Sequence, residues 1–230
     1  MSVKLVVFDI AGTTVQDSDH SVSKAFQSAL KQFGFEVALN NIDPLMGYEK
    51  TLAIKKILQE NTEAGFSIPQ KLVLDIHRVF VLEMIKHYQY APDIAALPNV
   101  EETFLILHQM GIKIGINTGF SRDIADTILN RLNWIENGMV DFYVGSDEVL
   151  LGRPHPYMIE HLMQLCDINN PKEVVKVGDT EVDVREGQNA NCLYSIGVTT
   201  GIFTRDELKK YKPSHIIDNV SELIPIFEAE

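Results

Sequence analysis

Short apolar runs that each end in small or charged residues, with helical patterns between them, constrain this chain more than any other feature. Residues 4–8 form the first run, rich in Val and Leu, and Asp9 follows it. Residues 113–117 form the second, after the amphipathic stretch 100–110. Residues 142–144, 174–177 and 194–198 follow, and residues 215–217 are short enough for an edge strand. Runs of this length and composition read as strands buried on both faces. Helical periodicity fills residues 122–132, 156–166 and 182–190. Strand and helix in regular alternation predict a doubly wound parallel α/β sheet.

One interval breaks the alternation. Between residues 16 and 97 only helical periodicity is visible. Val22, Ala25, Phe26, Ala29, Leu30 and Phe33 form one stripe. Leu52, Ile54, Ile57 and Leu58 begin a second, and residues 72–88 a third, longer one. An all-helical insert after the first strand predicts a second domain, with a core of residues 1–15 and 98–230 and an insert of residues 16–97. The insert holds eight basic and ten acidic residues, so it carries −2 of the chain's formal −12. The Pro- and Ala-rich stretch 91–98 suits a return linker.

The charge also limits the partners. A net −12 offers no basic face for nucleic acid and no attraction to an anionic membrane. No stretch approaches the roughly 18 consecutive apolar residues of a membrane span, and the first run is too short for a signal-peptide core. Cys166 and Cys192 are the only cysteines. They form no disulfide framework and no metal cluster, and are expected as reduced packing residues of a cytoplasmic protein. Trp134 and Met84 are expected in the core, His20 and His77 as ordinary residues of the insert, and His155 at a helix start.

Ligands of parallel sheets bind at the carboxyl ends of the strands. The first run ends at Asp9, then Ile10-Ala11-Gly12-Thr13-Thr14. The second ends at Asn117-Thr118-Gly119. Gly152-Arg153-Pro154 follows the third, and the fourth ends in Gly178-Asp179-Thr180-Glu181-Val182-Asp183. An aspartate after a strand is, taken alone, more often a helix cap or turn residue. Four such clusters in order make a different pattern. Hard carboxylate oxygens suit Mg²⁺, and a guanidinium with free backbone N–H groups suits a phosphoryl group.

In this order the motifs resemble the haloacid dehalogenase superfamily of phosphotransferases, and within it the phosphonatase branch. Asp9-Ile10-Ala11-Gly12-Thr13-Thr14 matches the first motif. Thr118 in Asn-Thr-Gly-Phe matches the second, and Arg153 in Gly-Arg-Pro-His-Pro the third. Asp179 and Asp183, followed by Glu186-Gly187, match the fourth. Met46-Gly47-Tyr48-Glu49-Lys50 matches the MGxxK sequence whose lysine forms a Schiff base in phosphonatases. The resemblance spans nearly the whole chain and implies a Rossmann-like core with an inserted all-helical cap.

The resemblance also implies roles. Asp9 is then the nucleophile that forms an aspartyl phosphate. Asp9, the Ala11 carbonyl and Asp179 hold Mg²⁺, with Asp183 close by. Thr118, Arg153 and the N–H groups around Gly12 and Thr13 bind the transferring oxygens. Met46, Gly47 and Gly119 line the substrate site, which the cap closes against water. Cap faces of related proteins often pair between subunits, so a homodimer is an expectation.

Ala11 sets the chain apart from most phosphatases of the superfamily, which carry a second Asp there as general acid and base. A carbanion leaving group makes a different demand, because an imine on Lys50 could accept its electrons. That requires a lysine pKa lowered by a dry pocket or a second cation, for which Lys55 and Lys56 are neighbours. The Cys, His and Tyr of phosphonatases are replaced by Asp19, Ala53 and Phe120. Three readings follow: a hydrolase of P–C bonds in a small phosphonate, a phosphatase of small phosphate esters, or a binding protein without turnover.

Overall fold

Leu5, Val6, Val7 and Phe8 are all fully buried, on alternating faces of one strand. In the computed structural model, which describes residues 3–17, 20–62 and 67–229, this strand β1 (Leu5–Phe8) lies inside a sheet. Leu5 and Val7 pack with Val144, Met158 and Leu162 on one side. Val6 and Phe8 pack with Ile114, Phe104 and Trp134 on the other. Phe8 and Phe104 have ring centroids 5.0 Å apart, and Phe104 meets Trp134 at 5.4 Å.

After β1 come α1 (Ser21–Gln32), α2 (Leu39–Ile42), α3 (Lys50–Glu60) and α4 (Gln70–Tyr90). Then follow α5 (Val100–Gln109), β2 (Lys113–Thr118), α6 (Arg122–Arg131), β3 (Phe142–Gly145) and α7 (Tyr157–Leu165). The chain closes with β4 (Val174–Gly178), α8 (Glu181–Asn189), β5 (Tyr194–Val198), α9 (Arg205–Lys209), β6 (His215–Ile217) and α10 (Leu223–Glu228). The six strands form one sheet in the order β3-β2-β1-β4-β5-β6, and every neighbouring pair is parallel. The expected elements appear within one or two residues of their bounds.

This order decides where chemistry can sit. The chain winds outward from β1 to β3 on one side and from β4 to β6 on the other. The reversal places the carboxyl ends of β1 and β4 side by side, at the crevice where doubly wound sheets bind ligands.

The insert leaves and re-enters through two antiparallel segments. Val15 bridges Ala96, Gln16 N donates to Ala95 O at 3.1 Å, and Leu97 N donates to Thr14 O at 2.9 Å. Its helices bury the expected stripes, except that Ala25, Phe33 and Leu52 are only half-buried. Phe26 packs edge-on against Phe80 at 5.2 Å, and Phe80 lies 6.3 Å from Phe120, just past β2. The apolar contacts of the insert therefore run on into those of the sheet. Trp134 and Met84 are fully buried, as the sequence suggested.

Candidate active site

The turn after β1 brings the first carboxylates together. Ile10 O accepts from the N–H groups of Thr13, Thr14 and Val15. Gly12 stands at φ +82°, where a side chain is strained, and a Cβ there would come 2.9 Å from Asp179 Oδ2. Thr13 Oγ1 donates to Asp179 Oδ1 at 3.0 Å, and Thr14 Oγ1 donates to Asp9 O at 2.8 Å. Asp179 accepts a second bond, from Ile202 N at 2.9 Å, in the loop after β5. Thr180 caps α8, and its N–H and hydroxyl both donate to Asp183.

Behind Asp9 lies a buried ion network. Arg153 Nη1 sits 2.7 Å from Asp9 Oδ1 and 2.8 Å from Asp183 Oδ1, and Arg153 Nε sits 3.2 Å from Glu186 Oε2. These are ion pairs off the N–H directions, not aligned hydrogen bonds. Arg153 Nη2 donates to Asn117 O and Oδ1, each at 2.6 Å. Lys176 Nζ lies 3.0 Å from Asp183 and 3.6 Å from Glu186, and donates to Asn117 Oδ1 at 2.7 Å. Asn117 Nδ2 in turn donates to Glu186 Oε1 at 2.9 Å. Asn117, Arg153, Lys176, Asp183 and Glu186 are all fully buried.

In front of Asp9 opens a cavity of about 370 Å³. Asp9, Ala11, Gly12, Thr118, Gly119 and Asp179 form its sheet-side wall. Asp17, His20, Met46, Gly47 and Lys50 come from the insert, and Thr200, Gly201 and Ile202 from the loop after β5. A Cβ on Gly119 would stand 2.6 Å from Tyr48 O and 2.7 Å from Gly47 O, so a glycine there lets the insert backbone close onto the end of β2. That contact fixes the start of α3, whose first residue is Lys50. Glu49 caps the helix by accepting from Thr51 N and Leu52 N.

The arrangement matches a known family over most of its length. The model of the haloacid dehalogenase-like hydrolases matches residues 3–191. The chain belongs to this family. Among curated relatives, the phosphonoacetaldehyde hydrolase of Bacillus mycoides is 28% identical over a 236-residue alignment, which covers 96% of this chain and 86% of that protein. Among solved structures, the phosphonoacetaldehyde hydrolase-like protein of Oleispira antarctica superposes with a TM-score of 0.85 at 23% identity, over 100% of this chain and 92% of the other. A predicted phosphoglycolate phosphatase of Haemophilus somnus gives a TM-score of 0.79 at 21% identity, over 98% of each chain. At these identities the structural likenesses establish the fold.

In this hydrolase, one oxygen from each of Asp9, Asp179 and Asp183 falls within 4.8 Å of the others. With Glu186 they make four buried carboxylates against two buried cations, Arg153 and Lys176. Burial, with the charges of Asp9 and Asp183 adding to it, raises the pKa of Asp179 to about 8. Burial also raises Asp9, with Arg153 offsetting part of the effect. Asp183 is pushed up by burial but held below its ordinary value by Arg153 and Lys176. Arg153 is itself firmly protonated, because the carboxylates outweigh its own burial. Asp9 stays raised beside that cation because its burial outweighs Arg153, and Asp183 adds to the rise. Hard oxygens in close, uncompensated repulsion suit a divalent cation.

Lys50 is 3% exposed, where a first-turn lysine would ordinarily reach solvent. Its Nζ stands 5.2 Å from the centre of the Phe120 ring and donates to Tyr48 O at 3.3 Å. Burial lowers its pKa to about 8; Asp9 opposes this and Arg153 adds to it. The second cation is therefore Arg153, and the expectation that Lys55 or Lys56 fills that place fails. Lys56 lies over the Tyr48 ring at 4.9 Å, and Lys55 lines a different cavity.

The structure brings Asp9, Ala11, Gly12, Met46, Gly47, Lys50, Thr118, Gly119 and Asp179 to the cavity. Thr13, Arg153 and Asp183 stand behind this wall. Arg153 thus faces Asp9 and not the space of the transferring oxygens, because three carboxylates and Asn117 occupy its guanidinium. Ala53 is fully buried on α3, Phe120 lines the cavity, and Asp19 lies outside the described residues. Cys166 and Cys192 are buried free thiols raised by burial to about 11 and about 12. His155 is exposed and stacks on Tyr157.

Lys176 and the cavity residues Asp17, His20, Thr200, Gly201 and Ile202 were missed by sequence reasoning. Lys176 carried a signal, since a lysine inside a run of valines in a buried strand must find carboxylates. The others carried none, because their place depends on how two loops fold over the sheet.

Proposed function

We propose that this hydrolase cleaves the P–C bond of a small 2-oxoalkylphosphonate, such as phosphonoacetaldehyde, through an aspartyl phosphate on Asp9 and an imine on Lys50. The observation that carries the reading is the buried Lys50 amine, lowered to about 8, in the same cavity as Asp9. A neutral amine can attack a carbonyl, and near pH 8 a large share of Lys50 is neutral. The name of the Bacillus mycoides relative supports the same chemistry.

Asp9 attacks phosphorus and accepts the phosphoryl group. Arg153, from behind, orients the Asp9 carboxylate. Thr118 receives the phosphoryl oxygens; the N–H groups of Gly12 and Thr13, expected to share that task, are taken by Val15 O and Ile10 O. Asp9, the Ala11 carbonyl and Asp179, with Asp183 beside them, would hold Mg²⁺, which would supply positive charge against the repulsion between anionic nucleophile and anionic substrate. Thr13 fixes Asp179, and Gly12, Met46, Gly47 and Gly119 shape the site. Residues 16–97 act as a cap over the core of residues 1–15 and 98–230, excluding water while the imine forms. Ala11 removes the general acid of an ordinary ester phosphatase, which a carbanion leaving group does not need at that place.

A second reading, hydrolysis of a small phosphate ester, rests on Ala53. Its fully buried methyl group on α3 provides no proton shuttle beside Lys50. One experiment separates the two. Phosphate release is measured with Mg²⁺ on phosphonoacetaldehyde and on a panel of phosphate esters, with borohydride trapping in parallel. Release from the phosphonate and a trapped adduct, both lost in Lys50→Arg, establish P–C hydrolysis. Release from esters alone, with no adduct, establishes the second reading.

A further inference from the structure

Ala11 leaves no carboxyl group two residues beyond the nucleophile, yet the cavity contains a carboxylate outside the Asp9–Asp179–Asp183 set. Asp17, where the chain enters the insert, lines the same cavity as Asp9, Ala11 and Lys50. It is half-buried, and its Oδ1 accepts from Val22 N at 3.2 Å, which anchors it to the first turn of α1. Glu49 makes a useful contrast. It is also a helix-capping carboxylate of the insert, but it lies outside this cavity.

The groups facing Asp17 come from three helices: His20 at the start of α1, Lys50 on α3, and His87 and Tyr88 on α4. His20 shares the cavity, but it is exposed and lies 3.8 Å from Asp43. Tyr88 is buried and packs on Phe120 with ring centroids 6.0 Å apart.

We propose that Asp17 is the acid that gives a proton to the atom leaving phosphorus, and the base that later takes one from water. The inference rests on phosphoryl transfer to Asp9. As the Asp9 oxygen bonds to phosphorus, the bond from phosphorus to the leaving atom breaks, and its electron pair stays with that atom. The atom is an oxygen in an ester, or an enamine carbon conjugated to the Lys50 nitrogen in a 2-oxoalkylphosphonate. Protonated Asp17 supplies its proton and becomes a carboxylate. Water then attacks the aspartyl phosphate, Asp17 takes a proton from it, and phosphate leaves Asp9 free. In the phosphonate case a further water hydrolyses the imine, replacing the one lost when it formed. Burial, which raises Asp17, favours the protonated form at the start.

Asp17→Asn and Asp17→Ser test this, since both keep an acceptor for the first turn of α1. Phosphate release is measured on the unactivated substrate that the wild-type enzyme turns over and on 4-nitrophenyl phosphate, whose leaving group needs no proton. Folding is checked by thermal unfolding. The expected result is a fall in kcat of about 10²–10⁴-fold on the unactivated substrate. KM stays near the wild-type value, the loss on 4-nitrophenyl phosphate is much smaller, and the decline of kcat towards high pH disappears. Wild-type kcat in folded variants, or an equal loss on both substrates with an unchanged pH profile, overturns the role of Asp17. Asp9→Asn runs beside them. If the wild type releases no phosphate at all, or Asp9→Asn retains the activity, phosphoryl transfer to Asp9 fails and this inference falls with it. If both behave as expected, only the Asp17 variants decide.

Discussion

The two walls of the cavity are held in opposite ways. On the sheet side, Asp9 and Asp179 are fixed by Arg153, Thr13 and Ile202 N, and a fully buried set of Asn117, Lys176, Asp183 and Glu186 stands behind them. On the insert side, Lys50 has a single 3.3 Å bond to a carbonyl and a ring face at 5.2 Å, and His20 is exposed. The first wall fixes its charges in place, as the proposed phosphoryl transfer requires. The second holds a buried amine whose pKa is lowered to about 8, which requires that strong partners be withheld. The sheet-side wall is thus rigid and saturated with partners, and the insert-side wall is sparse.

Substitutions can break this contrast. The largest effect is expected at Asp9, where Asp9→Asn should reduce phosphate release about 10⁴-fold or more on every substrate, because it removes the proposed nucleophile. On the other wall the effect should be selective. Lys50→Met should abolish borohydride trapping and P–C cleavage while leaving any ester hydrolysis in place. It should also raise the melting temperature at neutral pH. The folded-state pKa of Lys50, about 8, lies below the ordinary 10.5. The unfolded chain therefore binds more protons between those values, and stability rises with pH across that window. Removing the charge removes this penalty below it. In the wild type, imine formation should likewise rise with pH through about 8, measurable as the initial rate of borohydride trapping against pH.

Behind the sheet-side wall, Lys176→Met leaves Asp183 and Glu186 sharing Arg153 alone. Breaking a buried network by deleting one partner costs roughly 3–5 kcal/mol, which denaturant unfolding would measure. The gentlest test adds an ion. Mg²⁺ at a hundred times its Kd should stabilise the protein by about 2.7 kcal/mol, a rise of roughly 5–10 °C in Tm for a chain of this size. Chelation should reverse it. Asp179→Asn should abolish the response and, by removing a repelled buried acid, raise Tm without metal.

Much of this site was legible in the chain because its residues follow strands. Asp9, Thr118 and Asp179 can be placed once β1, β2 and β4 are recognised, since the end of a parallel strand is the place where its backbone turns out of the sheet. Lys50 was legible only as a residue type in a motif. Its burial depends on Gly119 accepting the backbone of Tyr48, a contact between segments about seventy residues apart. Arg153 was visible, but its direction was not. Sequence placed it with the transferring oxygens, whereas three carboxylates from two other elements hold it behind Asp9.

The sequence by itself determined the alternation of strand and helix, the helical interval between residues 16 and 97, and which residues stand at strand ends. All of these follow from local periodicity and from the few conformations that each short segment can adopt. Only the tertiary structure decided that β1 and β4 are neighbours, that Lys50 is dry, and that Asp17 shares its cavity. Burial and charge coupling are properties of what surrounds a group, and here the surroundings come from segments that folding alone brings together.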